Sequence, residues 1–250
     1  MLSNEDFDFV AGCSLGDGYL NGFNKRSTSP VFTLGHSQKQ EEYLVWKAEN
    51  LNRILNKNYS VHRSVRTVQG KQYPVITYSA SVPELWEVYN LLYFEKKKVF
   101  TQALLERLGF QSLALLWMDD GVFVTQTHTT TSINSNWEFG WKGEKGAVRK
   151  YFREARLSLY TSKQEADIVN EWIKSLTGAE GRTYDQKKNN QFILLWNKPN
   201  FLKIIEAIYP FTHPSMYRKI SLDLKRFDLF PVTVGERESA AKLDEGQTVV

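Results

Sequence analysis

With a single cysteine, Cys13, in 250 residues, the chain can form no internal disulfide, which excludes a disulfide framework of the secreted kind. A reducing, intracellular setting is the expectation. The four histidines, His36, His62, His128 and His213, stand far apart and no Cys-x-x-Cys occurs, so the spacing of a structural zinc site is missing. No apolar run approaches the roughly 18 residues that a membrane span needs, and the N-terminal MLSNEDFDF is acidic where a signal peptide is basic. Neither a membrane partner nor export is expected. Charge of one sign is scarce as well: 32 Lys and Arg against 28 Asp and Glu leave +4, too little for a histone-like tail or a polybasic arm. Any site for a polyanion must therefore be local. Core material, by contrast, is abundant, since 42% hydrophobic and 14% aromatic residues argue against disorder. The length suits one large domain or two halves.

Ser3-x-x-Asp6 ahead of Phe7, Val10, Ala11 and Leu15 predicts a capped amphipathic helix. Gly12 and Gly16 lie within it, four residues apart, and each glycine costs a helix about 1 kcal/mol relative to alanine. Their presence predicts another backbone packed closely on that face. Asp17-Gly18 ends the segment. A second stretch, Leu113-Ala114-Leu115-Leu116-Trp117-Met118, is apolar on all sides, the mark of a buried helix, and ends in Asp119-Asp120-Gly121. An acid at a helix C-terminus meets the negative end of the macrodipole and costs about 0.3–1 kcal/mol, so two such endings call for a compensating cation. Asp-Gly alone is equally a common turn dipeptide; the rest of the chain gives it more weight, because the chain repeats.

His36-Ser37-Gln38-Lys39-Gln40-Glu41 is echoed by Tyr160-Thr161-Ser162-Lys163-Gln164-Glu165, each leading into an amphipathic helix carrying Leu44, Ala48 and Leu51 or Ile168, Trp172 and Leu176. Further on, Val75 to Tyr78 and Pro83 precede a helical stretch through Leu85, Tyr89 and Leu92, while Phe192 to Leu195 and Pro199 precede Phe201 to Ile208. Each copy closes on a basic cluster, Lys96-Lys97-Lys98 or Arg218-Lys219. Between the helices, Tyr59 to Arg66 and Arg156 to Leu159 alternate apolar with polar residues, as strands with one exposed face do. Each half reads αββαββα, an α+β class. The halves are placed at 1–109 and 110–232, with a polar, charged tail over 233–250 that is expected to be flexible or loosely docked.

In Val10 to Gly18 and Leu113 to Gly121 the sequence resembles the LAGLIDADG homing endonucleases, in the single-chain form with two motif copies. The second copy departs from the pattern at Leu115, where the family has glycine; this implies less symmetric helix packing. The resemblance covers about residues 5 to 230. It implies two pseudo-symmetric halves, the motif helices packed at the centre and antiparallel sheets forming a saddle over double-stranded DNA. It also implies a monomer that cuts both strands of a long asymmetric target and leaves short 3′ overhangs.

By motif position, the resemblance assigns Asp17 and Asp120 to divalent metal, with the backbone carbonyls of Gly16 and Asp119 as further ligands. Mg²⁺ is the implied cofactor and Mn²⁺ its substitute, with Ca²⁺ supporting binding but little cleavage. Lys98 and Lys219 match the family's active-site lysines, Lys97 nearly as well as Lys98, and Gln38 matches a polar residue of the solvent network, with Ser162 its counterpart. Base readout is expected from exposed strand faces, because a β-ribbon fits the major groove. The candidates are Asn21, Lys25, His62, Ser64, Arg66, Arg156, Arg182 and Gln186. Two other functions compete: an intron RNA-binding maturase of the same family, and a non-catalytic DNA-binding regulator, which would be expected to have lost the motif acids.

Overall fold

A computed structural model describes residues 1–22, 28–129, 148–186 and 191–220. Lys25 and the tail from 233 onward lie outside the described residues. Ser3 accepts a hydrogen bond from the Asp6 amide at 3.1 Å and caps α1 (Asn4–Leu15), as its spacing predicts. There follow β1 (Tyr19–Asn21), β2 (Val31–Ser37), a 3₁₀ turn at Gln38–Gln40, α2 (Glu41–Ile54), β3 (Val61–Val68), β4 (Lys71–Ser81) and α3 (Leu85–Leu92). A short ribbon of β5 (Tyr93–Phe94) and β6 (Lys97–Lys98) and the single-turn α4 (Gln102–Leu105) lead into the second round. That round comprises α5 (Phe110–Asp120), β7 (Gly121–Thr129), β8 (Val148–Thr161), α6 (Lys163–Thr177), β9 (Arg182–Asp185), β10 (Phe192–Trp196) and α7 (Lys198–Ile208). Two 3₁₀ turns, Tyr209–Phe211 and Pro214–Lys219, close it.

The repeat in the sequence becomes a repeat in topology. One antiparallel sheet runs β1-β2-β4-β3 and the other β7-β8-β10-β9, the same order in successive rounds of αββαββα. Helix α6 opens on a capping box, in which Ser162 accepts from the Glu165 amide and the Glu165 carboxylate accepts from the Ser162 amide.

Between the sheets' helices, α1 and α5 are the buried pair. In α5 every residue from Ser112 to Met118 is buried, which explains a helix apolar all round. The prediction of close backbone approach holds at Gly12, where a Cβ would stand 2.7 Å from the Ser112 Cα and 2.9 Å from the Leu115 Cδ1. Leucine in one helix thus sits over glycine in the other, and the packing is unequal. At the opposite end of the pair, Asp8 on α1 accepts from the Gly109 amide at 2.7 Å and from the Ser112 hydroxyl, so an acid of α1 faces the positive N-terminus of α5. Because the added methyl meets backbone, Gly12→Ala lowers stability in urea unfolding instead of raising it by the ~1 kcal/mol of a free helix. Gly12→Val costs about 3 kcal/mol; stability gained by either variant would refute this packing.

Strand register sorts the exposed face. Cross-strand partners share a face, and the pairs Tyr19↔Thr33, Asn21↔Val31, Thr77↔His62, Val75↔Ser64 and Tyr73↔Arg66 place Asn21, His62, Ser64 and Arg66 together on the solvent side of the first sheet. Beyond Val61 the whole of β3 is exposed, Val65 by 59%, so the β3–β4 ribbon extends past the core with apolar groups uncovered.

Candidate active site

Helices α1 and α5 run side by side and deliver Asp17 and Asp120 at their C-terminal ends, each followed by a glycine. Asp17 lies just past the C-cap, with its side chain 42% exposed, and the Asp120 side chain is partly buried. Burial first, and then the charge of Asp119, raises the Asp17 carboxyl, against the pull of His36, Lys47 and Lys219. Asp120 is pushed up to about 7 by burial, then by Asp17 and Asp119, with Lys98 and Lys219 opposing. Two carboxyls raised by burial and by neighbouring acids, Asp119 beside Asp17 and both Asp17 and Asp119 beside Asp120, are a setting for a cation.

The two lysines named from the sequence occupy matching positions. Lys98 Nζ donates to the Gly16 carbonyl at 2.8 Å, and Lys219 Nζ donates to the Asp119 carbonyl at 2.7 Å. Each ammonium therefore sits on the carbonyl just before its half's acid, and burial lowers both lysine pKa values. Lys97, on the other edge of its strand, is exposed. Lys98, Lys97, Gly16, Asp120, Ser162 and Glu165 line one cleft of about 690 Å³ beside the motif helices.

Other predicted residues fall elsewhere. Gln38 is exposed in the 3₁₀ turn after β2, and the residue that reaches Asp17 from this segment is His36, whose Nδ1 lies 3.3 Å from Asp17 Oδ2. Alternation along β2 is the cause, since it turns His36 inward while Gln38 has already left the strand. Ser162 caps α6, a structural task. Arg156 and Arg182 share a strand face, but both engage Glu154: Arg156 Nε donates to it at 2.8 Å, and Arg182 lies 3.8 Å from it. Their charge is thus partly met within the protein. Gln186 is exposed beyond β9, and its amide donates to the Gln191 carbonyl.

Lys47 and Tyr43 were not anticipated from the sequence. Lys47 Nζ bonds both carboxylate oxygens of Asp119, at 2.7 and 2.8 Å, with both side chains 0% exposed, and the Tyr43 hydroxyl donates to the same carboxylate at 3.1 Å. The usable signal was Lys47's place on the apolar stripe of α2, among Leu44, Ala48 and Leu51, where a lysine needs a buried partner. Asp119 offers the site its carbonyl, since its carboxylate is taken.

The family model of the LAGLIDADG DNA endonucleases matches residues 7–174. Among curated relatives, a Protein RecA of Mycolicibacterium flavescens is 26% identical over 222 residues, covering 88% of this chain and 47% of that protein. One of Mycobacterium shimoidei is 27% identical over 223 residues, covering 88% and 47%. The chain thus spans about half the length of the curated relatives it matches. Among solved structures, the homing endonuclease I-WcaI bound to its DNA recognition sequence superposes with a TM-score of 0.68 at 16% identity, covering 89% of this chain and 88% of that one. The I-SmaMI LAGLIDADG homing endonuclease bound to cleaved DNA gives 0.53 at 12% identity, covering 96% and 97%. A motif helix ending in acid and glycine, repeated and packed on its own copy, and a family match across most of both rounds lead to one conclusion: the chain belongs to the LAGLIDADG DNA endonuclease family.

Proposed function

We propose that the protein is a site-specific endonuclease that hydrolyses both strands of a long, asymmetric double-stranded DNA target with a divalent cation and leaves short 3′ overhangs. The observation that carries this reading is the pair of carboxylates, Asp17 and Asp120, at the ends of the central helices, each with a lysine on the carbonyl before it. The two halves, 1–109 and 110–232, would each contribute one acid, so that a single chain serves two strands as a monomer.

The donor set fits Mg²⁺ or Mn²⁺: two carboxylates with raised pKa values and the carbonyl oxygens of Gly16 and Asp119, all hard ligands. When bound, such an ion supplies the acidity that makes water a nucleophile at neutral pH and the charge that neutralises the leaving oxygen. Asp17 and Asp120 hold that charge beside the scissile phosphates. Lys98 and Lys219, kept less basic by burial, are placed to orient the attacking water and the phosphate oxygens. His36 flanks Asp17 from one side, its Nδ1 3.3 Å from Oδ2. The exposed strand faces, Asn21, His62, Ser64 and Arg66 among them, supply contacts to base edges and phosphates. Because those contacts displace counterions, binding falls steeply with salt despite the small net charge.

A test incubates the purified protein with a library of long duplexes and Mg²⁺ and sequences the ends. Double-strand breaks with short 3′ overhangs at one target are expected, and Ca²⁺ should permit binding with little cutting. Duplex left whole in both Mg²⁺ and Mn²⁺ refutes the reading.

Cation binding also depends on pH in a defined direction. Burial and its acidic neighbours push Asp120 up to about 7, so protons compete with the cation below that point. Apparent Mn²⁺ affinity, followed by calorimetry from pH 8 to pH 5.5, falls by up to about tenfold per unit below pH 7 as Asp120 takes up its proton. An affinity flat across this range would contradict the assignment. Since the folded pKa exceeds the unfolded one, this group's contribution to metal-free stability is complete below the ordinary carboxylate range and lost as pH rises through about 7. Added Mg²⁺ therefore raises Tm more at pH 8 than at pH 5.5.

A further inference from the structure

The two motif copies differ at the residue before the acid: Gly16 in α1's copy, Asp119 in α5's. Asp119 does not point into the cleft. Its Oδ2 accepts the backbone N–H of Asp17, in the other half of the chain, at 3.0 Å. The carboxylate fills the room left by the missing side chain of Gly16, whose Cβ would stand 2.1 Å from that same oxygen. Lys47 and Tyr43, both on α2, hold the carboxylate from behind, at 2.7 and 2.8 Å for the ammonium and 3.1 Å for the phenol.

These four bonds use the acceptor capacity of a carboxylate, which is about four lone-pair sites. Asp17, His36 and Asp119 offer atoms within 4.8 Å of one another, a grouping that could hold a metal ion. With its oxygens committed to an ammonium that is itself fully buried, Asp119 is a poor ligand and a rigid strut. Glycine 16 has no side chain with which to return the contact to Asp120. One motif acid is therefore braced by its opposite half, and the brace has no counterpart across the pseudo-twofold.

We propose that Asp119, Lys47 and Tyr43 form a cross-half clamp that positions the Asp17 peptide, so that the two cutting centres are held unequally and the clamp selectively sets the rate at one strand. They are positioning residues, acting through Asp17. The proposal rests on the nuclease reading above for its functional consequence, and on geometry alone for the clamp.

The experiment compares wild type with Lys47→Met/Asp119→Leu, which replaces the buried ion pair by apolar groups and keeps the volume filled, and with Tyr43→Phe, which removes one bond and no charge. Two quantities are read: hydrogen exchange at the Asp17 amide by NMR, and single-turnover cutting in Mg²⁺ of a duplex labelled separately on each strand. In the double variant, amide protection at Asp17 is expected to fall at least tenfold. The ratio of the two strand rates is expected to move at least tenfold from the wild-type ratio, with DNA affinity within threefold. Tyr43→Phe moves both quantities in the same direction by two- to threefold, so the question stays answerable even if the double variant fails to fold. Unchanged protection overturns the clamp. Equal slowing of both strands, with the ratio within twofold of wild type, overturns its selectivity. Failure of the nuclease reading looks different: wild-type protein then cuts neither strand, while the Asp17 amide still reports whether the clamp exists.

Discussion

Asp17→Asn and Asp120→Asn each reduce DNA cleavage by about 10³-fold or more while leaving DNA affinity within a few-fold of wild type. Asparagine keeps the shape of aspartate and removes the charge that holds a cation, so the loss falls on the chemistry. Binding survives because a carboxylate beside a phosphate contributes repulsion, not attraction, when no cation lies between them. A second readout separates this account from simple damage to the fold. Burial and its acidic neighbours push Asp120 up to about 7, so above that pH the metal-free protein carries a strained charge that asparagine relieves. Asp120→Asn therefore melts at a higher temperature than wild type at pH 8 without Mg²⁺, and the difference shrinks toward pH 5.5. Retained cutting in both variants would remove the two acids from the mechanism; a lowered Tm at pH 8 would mean that Asp120 is stabilised by something other than a missing cation.

Lys47→Met alone lowers stability by about 3–5 kcal/mol, because it strands the fully buried Asp119 carboxylate without its cation. Urea unfolding at pH 7.5 measures it. Joining Asp119→Leu to Lys47→Met recovers most of the loss, since a well-packed apolar pair avoids the desolvation of both ions. The contrast between single and double variants is the diagnostic result. A single variant costing under about 1 kcal/mol would show the pair to be solvated like an ordinary surface bridge.

The two predictions concern residues of different legibility. Asp17 and Asp120 could be named from the sequence because each closes a periodic apolar segment and is followed by glycine, a local pattern that needs no knowledge of distant contacts. Lys98 and Lys219 were legible through the repeat alone, and the structure brings each onto the carbonyl before its half's acid. His36 and Lys47 were not recognised as part of the site. Strand alternation turns His36 inward toward Asp17, and Lys47 lies on an apolar helix stripe, but which acid each would meet depends on elements tens of residues away. Arg156 and Arg182 show a different limit of the sequence. Their alternation suggested free cations for DNA, and Glu154, two residues before Arg156 on the same strand, takes part of that charge.

Periodicity, caps and the internal repeat were sufficient to determine the doubled αββαββα plan, the buried character of α5 and the positions of the two acids, because each shows in local patterns of residues; that α1, read as amphipathic, is buried nearly all round from Phe7 to Leu15 was not among them. Which face of α1 meets which residues of α5, which polar groups are inward and which are spent on partners, and above all that Asp119 turns away from the cleft to grip the opposite half, were decided only when the chain closed. Those outcomes are set by packing between segments about a hundred residues apart, where the space left by one missing side chain at Gly16 determines where a carboxylate can go.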